Sequence, residues 1–336
     1  MMSLKRLLTL IYTRNKEFVR DRSSLSWNII MPILIVVGFA YTFSGDFITK
    51  YNVGIIEQDI SPSSLNSFLT TRYVDFIKVD NIDNAITKVQ RHQLGLLVDT
   101  HNLRYWINSD SADGYFLEKI LLSSTKVKLE KQTVSGKEIR YVDWVIPGIL
   151  SMNIMFSALF GVGYVIVRYR KNGMLKRLKA TPVTALEYLS AQVISRLILI
   201  MIITIFIFYS TNFFIGYAMH GSHLSLFFIF ALGAISMISL GLLVAARITS
   251  EETAGGLLNL LSWPMMFLSG VWFSLEGTNP VVQQLAEAFP LTHVTTAARM
   301  IMIDGAQLVD VSYHITILVL QSIIFLFAGA FMFRWE

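Results

Sequence analysis

The residue types that carry chemistry are sparse in this chain and seldom stand together. A phosphate-binding loop needs Gly-x-x-x-x-Gly-Lys-[Ser/Thr], in which backbone amides cradle phosphate and the lysine meets its charge. The one Gly-Lys pair is Gly136–Lys137, and Glu138 follows it. No nucleophile elbow, zinc-helix motif or dinucleotide fingerprint occurs. There is no cysteine, which excludes a thiol nucleophile, a disulfide and any Cys-ligated metal. His220 and His223 form a His-x-x-His pair, but no acidic residue lies near them in sequence. They read as part of a turn. Asp304, Asp310 and His314 are the only outer-face candidates for an enzyme's carboxylate–histidine cluster, and their spacing fits no motif. His293 and His314 read as structural. The expectation is no catalytic residue and no metal site.

One stretch has a purposeful pattern. From Arg168 to Glu187 the chain reads Arg-Tyr-Arg-Lys-Asn-Gly-Met-Leu-Lys-Arg-Leu-Lys-Ala-Thr-Pro-Val-Thr-Ala-Leu-Glu. Gly173 can break a preceding helix. Met174, Leu175 and Leu178 then give one apolar side of a short helix. Thr181–Pro182 ends it and can start another, with proline in the first turn. Thr184 to Glu187 has the form of a capping box. A short, basic, rigidly bounded helix with an apolar side toward the cytoplasm reads as a docking element for a partner.

The elements around that loop are unlike those of a soluble protein. Over 336 residues, 54% are hydrophobic and 15% charged, against about 25% charged in soluble domains. A bilayer core about 30 Å thick takes about 20 apolar residues in a helix. Six stretches qualify: residues 25–43, 144–167, 197–218, 224–246, 254–275 and 315–333. None holds Asp, Glu, Lys or Arg, and six such runs cannot share one soluble core. The expected fold is therefore an all-α polytopic membrane protein with six transmembrane helices. An α/β extracytoplasmic domain, residues 46–143, is inserted between helices 1 and 2.

Lys and Arg in short loops set orientation. Residues 1–24 carry six, and 168–192 carry six. The turn at 219–223 carries none, and 276–312 carries only Arg299. Both termini and the basic loop are placed in the cytoplasm. Residues 1–24 read as a cytoplasmic amphipathic helix over 3–20, with Leu4, Leu7, Leu8, Ile11 and Tyr12 on one face. In the inserted domain, Val53–Glu57, Leu94–Val98 and Arg104–Ile107 read as strands. Ile82 to Val89 reads as a helix capped by Asp80 or Asn81, and 113–132 as another. In 276–312, Asn279–Pro280 opens a short helix to Phe289 that Pro290 stops. Thr292 caps a second, ended at Gly305; both read as re-entrant or interfacial.

Ion-coupled transporters keep an ionisable relay inside the bundle. Here the spans offer only groups such as Asn28, Asn153, Asn259, Ser262 and Gln321, so the energy source is expected in a cytoplasmic partner.

The run Asn172-Gly173-Met174-Leu175-Lys176-Arg177-Leu178-Lys179-Ala180-Thr181-Pro182 resembles the coupling helix of type-2 ABC exporter permeases. Leu268-Ser269-Gly270-Val271-Trp272-Phe273, then Phe289-Pro290-Leu291-Thr292-His293 and Ala298-Arg299, resemble that family's fifth span and outer re-entrant helices. The resemblance covers nearly the whole chain. Many members place glutamates where this chain has Asn172 and Lys176, so its loop is more basic.

The resemblance implies a subunit of a bacterial inner-membrane exporter that lacks an ATPase of its own. A second permease copy, most simply identical, and two cytoplasmic ABC ATPase subunits complete it. The ATPases bring ATP and Mg; no cofactor is bound by this chain, and no nucleic acid partner is expected. The ATPase-coupling residues are Asn172, Gly173, Met174, Leu175, Lys176, Arg177, Leu178, Lys179, Thr181 and Pro182. A substrate path along spans two and five is expected to involve Met152, Asn153, Phe156, Asn259, Trp263, Met266 and Phe267. The lining lacks a charged ligand site, so the cargo is expected to be hydrophobic or amphipathic. Membrane lipid is the surrounding partner. A membrane receptor with an outer ligand-binding domain is the alternative, and an integral membrane enzyme a second.

Overall fold

The computed structural model describes residues 3–42, 51–56, 66–79, 82–125, 128–136, 139–275 and 279–335. Phe43, Asp46, Glu57, the proposed cap at Asp80 or Asn81, Lys137, Glu138 and residues 276–278 lie outside that set. The chain divides into two units, residues 1–42 with 142–336, and residues 43–141.

In the larger unit α1 runs Leu4–Arg20 and α2 Arg22–Thr42. The sheet unit follows. Then α6, Tyr141–Lys171, is one continuous helix whose stretch Leu159–Tyr164 is π-helical. Next come α7, Met174–Lys179; α8, Ala185–Ile215; α9, His223–Ala245; and α10, Glu251–Leu268. The chain closes with α11, Pro280–Glu287; α12, Pro290–Asp304; and α13, Ser312–Met332. Among the described residues, α6, α8, α9 and α13 are long and apolar enough to cross a membrane, and Asn28–Phe39 within α2 is a shorter apolar stretch.

Several boundaries differ from the sequence expectation for local reasons. α8 starts at Ala185 rather than at 197, because Thr184 accepts from the Glu187 amide while Glu187 accepts from the Thr184 amide. The helix then has no reason to pause before the membrane. It stops at Ile215, where Gly216 turns left-handed at φ 59°, so Tyr217 and Ala218 fall outside it. α10 ends at Leu268, and residues 269–275 form a non-helical segment with Gly270 at φ 66°. Pro290 both ends α11, by holding Phe289 extended at φ −95° and ψ 130°, and serves as the first residue of α12, where a missing amide costs nothing. Thr292 therefore lies inside α12 rather than at its cap. Its hydroxyl donates to the Ala286 carbonyl at 2.6 Å, tying α12 to α11.

The smaller unit holds a five-stranded sheet of order β2-β1-β3-β4-β5. The strands are β1 Tyr51–Ile56, β2 Val74–Lys78, β3 Leu96–Asp99, β4 Arg104–Asn108 and β5 Glu130–Val134. β3 and β4 pair antiparallel, and the other neighbours pair parallel. The period of two is visible in β3. Leu96 and Val98 join a core with Phe68, Leu117 and Leu121, whereas Leu97 joins Ala85, Val89 and Leu94 on the other face. Helices α3 (Asn66–Leu69), α4 (Ile82–Gln90) and α5 (Ala112–Ser124) accompany the sheet. The expected helix over 113–132 is correct only to Ser124; residues 130–134 are the edge strand β5. Buried Glu118 on α5 accepts from Tyr105 at 2.8 Å and pairs with Lys131 of β5 at 2.8 Å.

Candidate functional site

The basic loop forms the short helix α7 between two rigid joints. Gly173 sits at φ 67°, where a side chain would be strained, and breaks α6 from α7. The capping box at Thr184 fixes the other end. Within α7 the expected orientation is corrected. Leu175 is fully buried and Met174 and Leu178 are half-buried in this chain, so the apolar side packs inward. The exposed surface is Lys176, Arg177, Lys179, Ala180, Thr181 and Pro182, with Asn172 exposed beside it. The face this helix exposes is basic rather than apolar.

The neighbouring charges act as fasteners. Arg170 points its guanidinium at the frayed end of α9, donating to the carbonyls of Ala245 at 2.9 Å, Ala246 at 3.1 Å and Ile248. It also donates to Arg334 O at 2.8 Å, so one cation gathers the C-terminal carbonyls of α9 and the tail after α13. Lys171 lies 3.6 Å from Glu251 and 3.7 Å from Glu252, both in the first turn of α10. Tyr164 donates to Glu251 at 2.7 Å. The base of α6 and the start of α10 are thus joined beside α7.

Within the same unit, the segments 268–273, 289–293 and 298–299 named by the resemblance meet. The Ser269 and Thr292 hydroxyls lie 2.9 Å apart, and Ser269 is the donor because the Thr292 proton goes to Ala286 O. Arg299 donates to Gly270 O at 2.5 Å and to Trp144 O at 3.0 Å, and its guanidinium lies 3.6 Å from the Trp144 ring centre. His293 hydrogen-bonds Glu287 O through Nε2 at 2.8 Å. That makes Nε2 the donor, so His293 Nδ1 accepts from His314 Nδ1, 3.0 Å away. Asp310 is turned to the Gln307 amide at 2.8 Å. His220 N bonds Met302 O while the His223 ring stacks on Tyr209. Among the described residues no three His, Asp or Glu side chains gather as a metal site.

Between α1, α2, α6, α8 and α10 lies a cavity of about 650 Å³. Met152, Asn153, Phe156 and Asn259 of the expected path line it. Trp263, Met266 and Phe267 do not; Trp263 and Phe267 stack together and are about half exposed, and Met266 is buried. Three cations also line the cavity: Arg14, Arg168 and Arg196. Arg196 is the residue that sequence reading missed. It stands one position before the expected third span, and only the early start of α8 carries it into the bundle. Its signal was the unbroken helical run from the capping box into the apolar stretch.

Arg196 is 8% exposed. Its Nε donates to Ser157 O at 2.8 Å and its Nη2 to Ser157 Oγ at 2.9 Å. Ser157 donates onward to Asn28 at 3.1 Å. The guanidinium lies over Phe18 at 5.0 Å. Gly161, in the π-helical stretch, leaves its room: a Cβ there would come within 2.0 Å of the Arg196 Cζ.

These features together fit a permease more closely than a receptor or an enzyme, and sequence comparison decides the family. A model described as ABC-2 family transporter protein matches residues 22–331. The chain belongs to the ABC-2 transporter family. It is similar to the probable multidrug ABC transporter permease YbhS of Escherichia coli K12, at 22% identity over 374 aligned positions, covering 99% of this chain and 95% of that one. It is also similar to the inner membrane transport permease YhhJ of the same strain, at 26% identity over 156 positions, 46% of this chain and 41% of the relative. As an ABC-2 family member with four strongly apolar helices, it is a polytopic membrane protein.

Proposed function

We propose that this chain is the membrane-spanning permease subunit of an ATP-driven ABC exporter in a bacterial inner membrane. α2 and α10 join the four longest apolar helices to make six spans. The termini and α7 face the cytoplasm, and the sheet unit lies outside. A cytoplasmic ABC ATPase supplies hydrolysis, and two permease copies form the translocating pair. The multidrug designation of its relative YbhS supports a cargo of small amphipathic compounds.

The observation that carries this reading is α7, a basic helix exposed between two fixed joints. A helix held this way moves as a rigid lever, so a shift of a partner at Lys176, Arg177 and Lys179 reaches the base of α6 and, through Lys171, Glu251 and Tyr164, the base of α10. The test is co-purification of the tagged permease from membranes of its native host in mild detergent, with mass spectrometry of associated subunits. A stoichiometric P-loop ATPase is expected. A clean permease without one overturns the coupling role of α7.

A further inference from the structure

Glu17 and Asp21 line the cavity together with three arginines, and one of those arginines has no acid beside it among the described residues. Arg14 pairs with Glu17 at 3.0 Å, and Arg168 approaches Glu17 at 3.9 Å. Among the described residues Arg196 has no carboxylate partner, and its Nη1 makes no hydrogen bond. A guanidinium more than nine-tenths buried is unfavourable without an anion or full hydrogen bonding. Two of its nitrogens are held by Ser157, which aims the fork and leaves the third position open. The same cavity is walled by Met31, Pro32, Ile35, Met152, Phe156 and Phe160. Its volume falls in the range of pockets for drug-sized ligands, and methionine adapts to varied apolar shapes.

The local backbone is built around this arrangement. The π-helical stretch Leu159–Tyr164 begins two residues after Ser157, and π segments of this kind recur at functional sites. Gly161 within it clears the space the guanidinium occupies.

We propose that this cavity binds an anionic amphiphile, its acidic head on Arg196 and its apolar part along Met31, Met152, Phe156 and Phe160. The proposal rests on the permease reading and names a substrate class for it. It revises the expectation of a lining without a charged ligand group. An acidic lipid and a free lipophilic acid share this chemistry.

The test uses the full-length permease alone, in nanodiscs of phosphatidylcholine with empty discs subtracted. Its outcome therefore does not depend on whether an ATPase co-purifies. Dodecyl phosphate, dodecylphosphocholine and dodecyltrimethylammonium carry one tail and three heads. Dodecyl phosphate is expected to bind at least about tenfold tighter than the other two, the factor one charge-assisted hydrogen bond supplies. In Arg196→Gln the three should converge to within about twofold, while Arg196→Lys keeps part of the preference, because the charge remains although the fork held by Ser157 does not. Equal binding of the three heads to the unmodified permease overturns the proposal without any variant having to fold. So does a preference that survives in Arg196→Gln. Phosphatidylglycerol retained in native mass spectra and lost in Arg196→Gln assigns a lipid source. Displacement of dodecyl phosphate by 8-anilinonaphthalene-1-sulfonate, with no lipid retained, assigns a soluble acid.

Discussion

Arg6 Nη2 lies 3.0 Å from Glu187 Oε1 across 181 residues of sequence. Glu187 is fully buried and also accepts from the amides of Ser3 at 2.6 Å and Thr184 at 2.9 Å. One carboxylate therefore closes the capping box of α8 and pins the start of α1. The amphipathic helix is fastened to the joint that ends the α7 loop. The arrangement offers a physical route by which motion at α7 reaches α1, and α1 contributes Arg14, Glu17 and Phe18 to the cavity wall.

Removing that joint should loosen both helices. Thr184→Ala deletes a side-chain cap and is expected to lower stability by about 1 kcal/mol. Glu187→Ala should do more, because Ser3, Arg6 and Thr184 lose an acceptor together. Thermal unfolding of the purified permease checks the order of the two. Limited proteolysis checks the site, since cleavage within residues 3–20 should accelerate in Glu187→Ala and much less in Thr184→Ala. Equal cleavage of α1 in both variants would mean Glu187 does not fasten it.

The two faces of α7 should separate by phenotype. Leu175→Ala empties a fully buried position and is expected to cost about 3 kcal/mol of stability. Arg177→Glu reverses an exposed charge and should leave the unfolding temperature within a degree or two of the parent. Under the exporter reading, Arg177→Glu nonetheless abolishes transport or releases the ATPase. Leu178→Glu, half-buried, should show part of each defect. A fully transporting Arg177→Glu permease would remove the exposed basic face from the docking surface.

Periodicity made the apolar helices legible, because a long uncharged run has few alternatives in water. Cap residues were legible too: Asn279 with Pro280, the Thr184–Glu187 box and Gly305 all act where their types suggest. What stayed hidden depended on partners distant in sequence. Strand β5, Glu130–Val134, is polar and half exposed, so it lacks an apolar signature and exists through pairing with β4; β2 offers Val74, Phe76 and Ile77 among charges, too short a run to read before its pairing with β1 is seen. The inward turn of Leu175 was equally invisible, since a short amphipathic helix reads the same whichever neighbour covers it. Of the expected path, Met152, Asn153, Phe156 and Asn259 reach one cavity. Trp263 and Phe267 share a face of α10 that turns elsewhere. Arg196 is hidden because a charge directly before an apolar run reads as the flank of a span, and only the early start of α8 carries it inside.

The sheet unit should be sensitive to acid. Burial pushes both Asp99 and Glu118 upward. For Asp99, hydrogen bonds from the Asn102 side chain and from the amides of Asn102 and His101 outweigh it. For Glu118, those from Lys131 and Tyr105 do. Both carboxyls end below their ordinary values. Their contribution is complete above the unfolded pKa and is lost as pH falls through the folded one. Tyr105 moves oppositely: burial and its bond to Glu118 raise it to about 12, so its contribution fades as pH rises from about 10 toward 12. Hydrogen exchange of the full-length protein, corrected for intrinsic rate, should show α5 and β4 best protected from about pH 5 to pH 9. Glu118→Gln should flatten the acid limb for these peptides and leave α9 unchanged.

The fit between Gly161 and Arg196 makes a stability prediction independent of any cargo. A methyl group at position 161 would fall 2.0 Å from the Arg196 Cζ and 2.2 Å from its Nε. The guanidinium is itself tied to Ser157, so it cannot retreat without losing two hydrogen bonds. Gly161→Ala alone should therefore cost about 1–3 kcal/mol as overpacking, despite alanine's better helix propensity. Arg196→Ala alone empties the site, removes a donor from Ser157 O and its hydroxyl, and should also destabilise. In the double variant the methyl group enters the space the guanidinium has left. The two effects should then fall short of additivity by about 1 kcal/mol or more, as expected for side chains in direct contact. Unfolding temperatures of the four proteins measure this coupling. Strict additivity would mean that Gly161 is glycine for the backbone of the π-helical stretch, and that the seat of Arg196 lies elsewhere.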